Sequence, residues 1–488
     1  MKLCLKPFLY LPIILFFFPQ FAFTLPGLKG TYLYFFVVLY ILLGLLLYKD
    51  RTKIIGNFIN FIKLTPFKYY VIVLVATIFS TLCASFIGLT TYSQNIHSII
   101  FQILLYILPI FIYFSHVIDG YISYEDFIKF FVLLLWINLI IGFIAFIGQF
   151  FDIKIINSIF DFFANSRLLK VNLGIDAQVN VSNYVAFGLP RLDGLHEEPS
   201  YYARFLYLFL PFVYSFSNNQ YKIVKNKNID KLIHVTFIPF AWINIILTFS
   251  PIYLILSSTI TIIYYFKEIL LLVKKYSILI ICLLLIVITL VVSIDLSETY
   301  LSRIINILAN VHSFADFIII EPSLATRIIT FVNTFCVFLQ HPIFGVGMGN
   351  IQAYMYNQYL NSPLPLTPEI ISKTSITVAA SGYAFFMQNY ITAILAESGI
   401  FVFCIYVYYY SKLFKVISKL DKICKCITMN FWELIAKTIK ISLIGLFIIF
   451  FYEMPTLRLE LFFIIVMGLL FIRKILIQNI KETKEEHK

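Results

Sequence analysis

The sequence predicts an all-α, polytopic integral membrane protein of about twelve transmembrane helices, with two long external loops carrying amphipathic helices. Three observations predict it. Of 488 residues, 61% are hydrophobic and 13% charged, and the mean hydropathy is +0.91, far more apolar than a soluble core of this length requires. Apolar runs of near-spanning length recur along the whole chain. Lys and Arg collect in alternate gaps between those runs, as the positive-inside rule requires.

The runs lie near 7–24, 31–48, 69–89, 98–115, 127–150, 201–216, 232–249, 251–266, 276–294, 383–410, 441–454 and 458–472. They divide the chain into spans one to five (1–150), an external loop (151–200), spans six to nine (201–294), a larger external loop (295–382), and spans ten to twelve with a Lys-rich tail (383–488). The first run follows Lys2 and Lys6 and ends in Ala22-Phe23-Thr24, so it also reads as a signal peptide. With the N-terminus cytoplasmic, 27 of the 37 Lys and Arg fall in the inside segments 1–6, 49–68, 116–129, 217–231, 267–275, 411–440 and 473–488. Both termini are then cytoplasmic. The net charge of +12 is spent on topology rather than on nucleic acid. The seven Cys form no paired framework, and Cys424 and Cys426 make an isolated C-x-C in a Lys-rich loop.

Lys and Arg separate by side. Of the eight Arg, only Arg51 and Arg473 lie inside; Arg167, Arg191, Arg204, Arg303, Arg327 and Arg458 lie outside. Any positive charge sets topology, but only Arg presents a planar fork that grips phosphate at two points and resists neutralisation. External Arg therefore points to a phosphate-bearing ligand, the alternative being pairs with carboxylates that hold the loops. Both long loops carry amphipathic stretches, Ile155–Phe163 in the first and Ile304–Ile320 and Ile328–Leu339 in the second, suited to the interface or to dipping into the bilayer. Asn361–Pro368 reads as an exposed linker.

The block Gly188–Arg204 concentrates charge at the mouth of a span: Arg191, Asp193, His196, Glu197, Glu198 and Arg204. Ionisable groups there are costly and mark function; the plain alternative is a loop with a salt-bridged helix start. No Walker loop, dinucleotide fingerprint, zinc spacing or external paired-Asp cluster is present, so neither a metal nor a cofactor is expected. Few carboxylates sit within the spans, which argues against an ion-coupled transporter. Glu397, inside the tenth run, is the exception and is read either as functional or as a buried acid beside a Gly399 packing notch.

Three blocks together resemble the bacterial O-antigen polymerase and ligase superfamily. Arg191-x-x-Gly194, Glu198-Pro199-Ser200 and Ala203 lead into a span. Arg327 is followed by His341-Pro342-Ile343-Phe344-Gly345-Val346-Gly347-Met348-Gly349-Asn350, and then by Gln388-Asn389-Tyr390 and Leu395-Ala396-Glu397-Ser398-Gly399. The likeness covers roughly 190–400; the first 150 residues match in hydropathy alone. Ligases of this family carry His just before the Asn of the third block, where this chain has Gln388, which leans toward the polymerase.

The resemblance implies a membrane glycosyltransferase acting on undecaprenyl-diphosphate-linked oligosaccharides, donor and acceptor, with membrane lipids, a chain-length regulator and a flippase as further partners. A sugar hydroxyl of one repeat unit attacks the anomeric carbon of the growing glycan, and the lipid diphosphate leaves. Protein work is then positioning, charge stabilisation and one proton transfer. On this reading Arg191 and Arg327 grip the diphosphate with Arg204 or Arg303 as auxiliaries, and Glu198 is the candidate base, its rival role being to orient an Arg. His196, His341 and Glu397 line the substrate. Gly345, Gly347 and Gly349 form an anion-binding turn or simply a packing turn. Tyr201 and Tyr202 stack on sugar or sit in the interfacial aromatic belt, the belt being the preferred reading. The ligase, which transfers glycan to lipid A-core or protein, and a lipid-linked oligosaccharide flippase are the alternatives.

Overall fold

The computed structural model describes residues 67–89, 123–158, 185–186, 189–192, 199–217, 221–271, 312–320, 322–348, 350–368, 370–371, 390–426, 430–452 and 468. Among them ten helices carry the fold: α1 (Phe67–Phe86), α2 (Tyr124–Phe150), α3 (Pro199–Ser217), α4 (Lys227–Leu247), α5 (Pro251–Tyr264), α6 (Phe314–Ile320), α7 (Pro322–Gln340), α8 (Ile351–Leu360), α9 (Tyr390–Cys426) and α10 (Asn430–Tyr452). A two-residue antiparallel pair, β1 (Val185–Ala186) and β2 (Leu189–Pro190), precedes α3. Three helices are long and apolar enough to cross a membrane: Tyr124–Phe150, Lys227–Leu247 and Ile391–Cys424. The expected spans at 7–24, 31–48, 98–115 and 276–294, and all of 458–472 except Gly468, lie outside the described residues.

Local chemistry sets the helix starts. Pro199, Pro251 and Pro322 each open a helix, where the missing N–H costs nothing and the fixed φ suits the first turn. Ser123 caps α2 by accepting from Asp126 N, and Glu125 and Asp126 sit at the positive end of its dipole. Ser313 and Asp316 cap α6 reciprocally: Asp316 N donates to Ser313 Oγ at 3.2 Å, and Ser313 N donates to the Asp316 carboxylate at 2.9 Å. Donation from the Ser313 hydroxyl, the largest cause, and from the His312 and Ser313 amides holds the Asp316 carboxyl below its usual range.

α3 is the axis of the first core. It packs against α2, α4, α5 and α10, and every described side chain from Tyr202 to Phe216 is buried. A helix apolar on all faces belongs inside a bundle. Hydroxyls along it are matched: Tyr207 Oη donates to Gly445 O at 3.0 Å on α10, and Ser215 Oγ bonds Tyr264 Oη at 2.8 Å and also Thr438 Oγ1. Tyr202 Oη donates to Asn244 Oδ1 at 3.0 Å, and Asn244 Nδ2 donates to Leu139 O at 3.1 Å, tying α2, α3 and α4. Gly142 opens the space, since a Cβ there would lie 2.5 Å from Tyr202 Oη. Tyr202 is therefore a core residue and not part of an interfacial belt, because its hydroxyl finds better partners inside.

The expected Lys-rich loop 411–440 is helical instead. α9 runs to Cys426 and α10 begins at Asn430. The reason is a helical period masked by charge: Leu413, Ile417, Leu420 and Cys424 form the buried face, and Lys415, Lys419 and Lys422 the exposed one. Lys440 Nζ reaches buried Asp421 at 3.7 Å across the two helices. Cys424 is accordingly a buried helix residue, not part of a loop motif.

The expected external loop 295–382 contains a second core, built by α6, α7 and α8 with Ala396 of α9. Asn361–Pro368 is only partly the exposed linker expected. Leu364 and Leu366 pack on this core, and buried Thr367 bonds Thr326 Oγ1 at 2.7 Å, because alternate residues of the segment face inward.

Tyr202→Phe should lower stability by about 1–3 kcal/mol, because Asn244 Oδ1 loses its buried donor. The check is thermal unfolding in detergent, where an unchanged midpoint would contradict the assignment.

Candidate functional site

The site is built where a glycine loop meets a broken helix. α7 ends at Gln340, and His341 N closes its last turn on Val337 O at 3.2 Å and Phe338 O at 3.0 Å. The chain then turns through Gly345 (φ 66°) and Gly347 (φ 87°), conformations that residues with a Cβ rarely adopt. α9 breaks at Gly399, with φ 75° and ψ 178°, a region open essentially to glycine alone.

The break and the loop satisfy one another. In an unbroken helix Ala396 O would accept from Ile400 N, and Glu397 O from the next amide. Here Val346 N donates to Ala396 O at 2.8 Å, Gly347 N donates to Glu397 O at 2.9 Å, and Ile400 N donates to Pro342 O at 2.9 Å. The approach leaves no room for side chains. A Cβ on Gly345 would lie 2.4 Å from the Glu397 carbonyl carbon, and one on Gly399 would lie 2.0 Å from Ile343 O. Two sequence blocks about fifty residues apart thus become one unit, with Glu397 enclosed at 5% exposure.

α1 clasps this unit from the side. Ser80 Oγ lies 2.5 Å from Phe344 O and 2.9 Å from Ser398 O, and its hydroxyl proton serves both carbonyls. Met348 N donates to Thr81 Oγ1 at 3.2 Å, and Tyr354 Oη donates to Leu89 O. Sequence reasoning missed Ser80 and Thr81. The available signal was two adjacent hydroxyls in an oily run, a pattern that marks close helix contacts.

The expected site residues divide. Gly345, Gly347 and Glu397 are brought together, and His341 starts the same loop. The His341 ring meets Tyr354 edge-on at 5.3 Å, and partial burial pulls its pKa below the ordinary histidine value. Arg327 is half-buried on α7, but thirteen residues before Gln340, about 20 Å along the axis at 1.5 Å per residue. Arg191 follows β2, and its Nε donates to Thr248 O at 3.1 Å, while Leu192 N donates to Leu247 O at 2.9 Å. Those carbonyls end α4, where the helix dipole favours a cation. Arg204 is 0% exposed, set among the side chains of the first core. His196, Glu197, Glu198, Arg303, Gly349 and Gln388 lie outside the described residues, as does Tyr201 beyond its backbone. Among the described residues no group of three or more His, Cys, Asp or Glu is placed to hold a metal ion.

In comparison with known proteins, no family model matches the chain and no curated protein matches it.

Two outcomes follow from this geometry. Gly399→Ala should abolish the folded protein, whereas Gly88→Ala, at φ 79° with nothing within 4 Å of the new Cβ, should cost only the backbone strain of about 1–2 kcal/mol. The yield of monodisperse protein in detergent separates them, and equal tolerance would contradict the loop-to-break contact. His341 binds a proton less readily folded than unfolded, so its contribution is complete above the ordinary histidine value of 6.5 and is lost as pH falls below it through the lower folded value. The unfolding midpoint should fall more steeply from pH 7 to pH 5 than that of His341→Phe; parallel curves would refute the assignment.

Proposed function

We propose that this chain is a multi-pass inner-membrane glycosyltransferase that polymerises undecaprenyl-diphosphate-linked repeat units of a surface polysaccharide, O-antigen or capsule, on the periplasmic face. The observation that carries the reading is the union of the His341–Asn350 loop with Leu395–Gly399. These are two of the three blocks resembling the polymerase and ligase superfamily, and they are locked together by reciprocal backbone bonds.

The chemistry asks little of the protein beyond placement and charge. The acceptor hydroxyl oxygen forms a bond to the anomeric carbon, the bond from that carbon to the diphosphate oxygen breaks, and undecaprenyl diphosphate leaves with the electron pair. The hydroxyl proton goes to a carboxylate, for which Glu198 is the candidate. Arg327 and Arg191 supply fixed positive charge to the departing diphosphate, where preorganised donors contribute most. Arg191 is held by the end of α4 at a defined position, which suits a group that must not reorganise during reaction. Glu397, at the helix break, is the carboxylate assigned to orient sugar hydroxyls. A glycan on a lipid diphosphate is extended, so Arg327 and the loop, about 20 Å apart along α7, can hold separate parts of one substrate. Gln388 in place of the ligase His favours polymerisation over transfer to lipid A-core.

A strain lacking the chain should show core carrying a single repeat unit in place of a ladder on a glycan gel. An Arg327→Lys copy should restore polymer about ten- to a hundredfold less well than wild type, the cost of a lost charge-assisted bond of about 1.5–3 kcal/mol. Long glycan stranded on the lipid carrier would indicate a ligase, and an unchanged ladder would overturn the reading.

A further inference from the structure

α7 carries an exposed apolar stripe along its length. Leu324, Ile328, Phe331, Phe335 and Leu339 are exposed by 40%, 37%, 41%, 37% and 59%. At 3.6 residues per turn they fall within an arc of about 80°. Phe331 and Phe335 stack along that arc with ring planes 6° apart. The opposite face is buried and mixed: Ala325, Ile329 and Val337 join the second core, with Thr326, Thr330, Asn333 and Thr334 buried among them. Thr326 meets Thr367 at 2.7 Å, and Asn333 Nδ2 donates to Ser362 Oγ at 2.9 Å. A helix in water would not expose a wholly apolar stripe while burying four polar side chains. Polar groups facing protein and apolar groups facing out are what a hydrocarbon surrounding selects.

We propose that α7 is an interfacial helix whose Leu324–Leu339 stripe docks among the acyl chains of the outer leaflet, with Arg327 on its flank at phosphate depth. The occupant is bilayer lipid because of where the helix is tethered. The loop that ends α7 is held by Ser80 and Thr81 of α1. If the apolar run 69–89 crosses outward, as the positive-inside pattern predicts, Phe86 is the outer end of α1, and Ser80 is six residues before it. That places the tether about 9 Å below the outer end at 1.5 Å per residue. Interfacial amphipathic helices ride about 5–10 Å into the headgroup and acyl boundary, so the tether and the apolar stripe agree on depth. Ile343, 52% exposed in the loop, continues the apolar surface. The inference rests on the membrane-spanning part of the proposed function and not on glycosyl transfer.

The test uses the full-length protein in phospholipid nanodiscs, with nitroxide labels on Ile328→Cys, Phe331→Cys and Phe335→Cys, and on Asn357→Cys of α8 as the exposed control. Collisional relaxation should show the three α7 labels open to oxygen and shielded from a water-soluble nickel chelate, with the reverse at Asn357→Cys. Nickel access at positions 331 and 335 would overturn the proposal, as would spin–spin broadening between copies, which would make the stripe a contact between two chains. Should a labelled variant fail to fold, Phe331→Trp and Phe335→Trp keep the question open to measurement: brominated phospholipids should quench their fluorescence, and absence of quenching overturns the proposal. A water-exposed stripe in a protein that still restores the glycan ladder defeats this inference alone. A lipid-exposed stripe in a chain whose loss leaves the ladder unchanged defeats glycosyl transfer alone.

Discussion

A backbone carbonyl freed inside an apolar protein must find a donor, and the break in α9 frees two. Leaving a buried peptide group unsatisfied costs several kcal/mol in a hydrocarbon setting, of order 2–7 kcal/mol each. The amides of Val346 and Gly347 remove that cost at Ala396 O and Glu397 O, and Pro342 O does so for Ile400 N. The glycines follow from the bonds. Gly399 must take a dihedral closed to other residues, and Gly345 must let its Cα face the Glu397 carbonyl. The hydroxyl of Ser80 then covers the carbonyls of Phe344 and Ser398. Each step leaves the next one little freedom.

That junction also joins the two cores. α9 belongs to both: Ala396 is buried with α7 and α8, and Tyr409, Leu413 and Ile417 are buried with α3 and α10. An isolated external loop would be free to move relative to the bundle. Here the second core is fastened through the helix break and again through α1, so Arg327 is carried on an element with fixed registration. Arg191 is fastened independently, to the carbonyl end of α4. For the glycosyl transfer proposed, cations mounted this way serve better than mobile ones, because donors that must reorganise contribute less.

Much of the bundle was legible because hydropathy and length are one-dimensional properties. The expected runs 127–150, 201–216, 232–249 and 251–266 overlap α2, α3, α4 and α5 to within a few residues. The Lys-rich stretch after 410 was misread because its charge hides a helical stripe at Leu413, Ile417 and Leu420 that appears only when residues are set around an axis. Tyr202 was assigned to a belt because its partners, Asn138 and Asn244, come from other helices. The glycine loop was legible as a motif, but its partner was not. No local property announces that Val346 N will reach Ala396 O, or that Ser80 will close the gap. Such pairings are tertiary, and they decide which of several polar residues in oil form a site.

The most direct measurement is reconstitution of the purified chain in liposomes with a synthetic undecaprenyl-diphosphate-linked repeat unit as both donor and acceptor. The account predicts glycan of two or more repeats, with undecaprenyl diphosphate released in step with each new glycosidic bond, and no product when Arg327 and Arg191 are both lysine. Properly folded protein that leaves the repeat unit intact, or moves it across the bilayer without forming a bond, would contradict it.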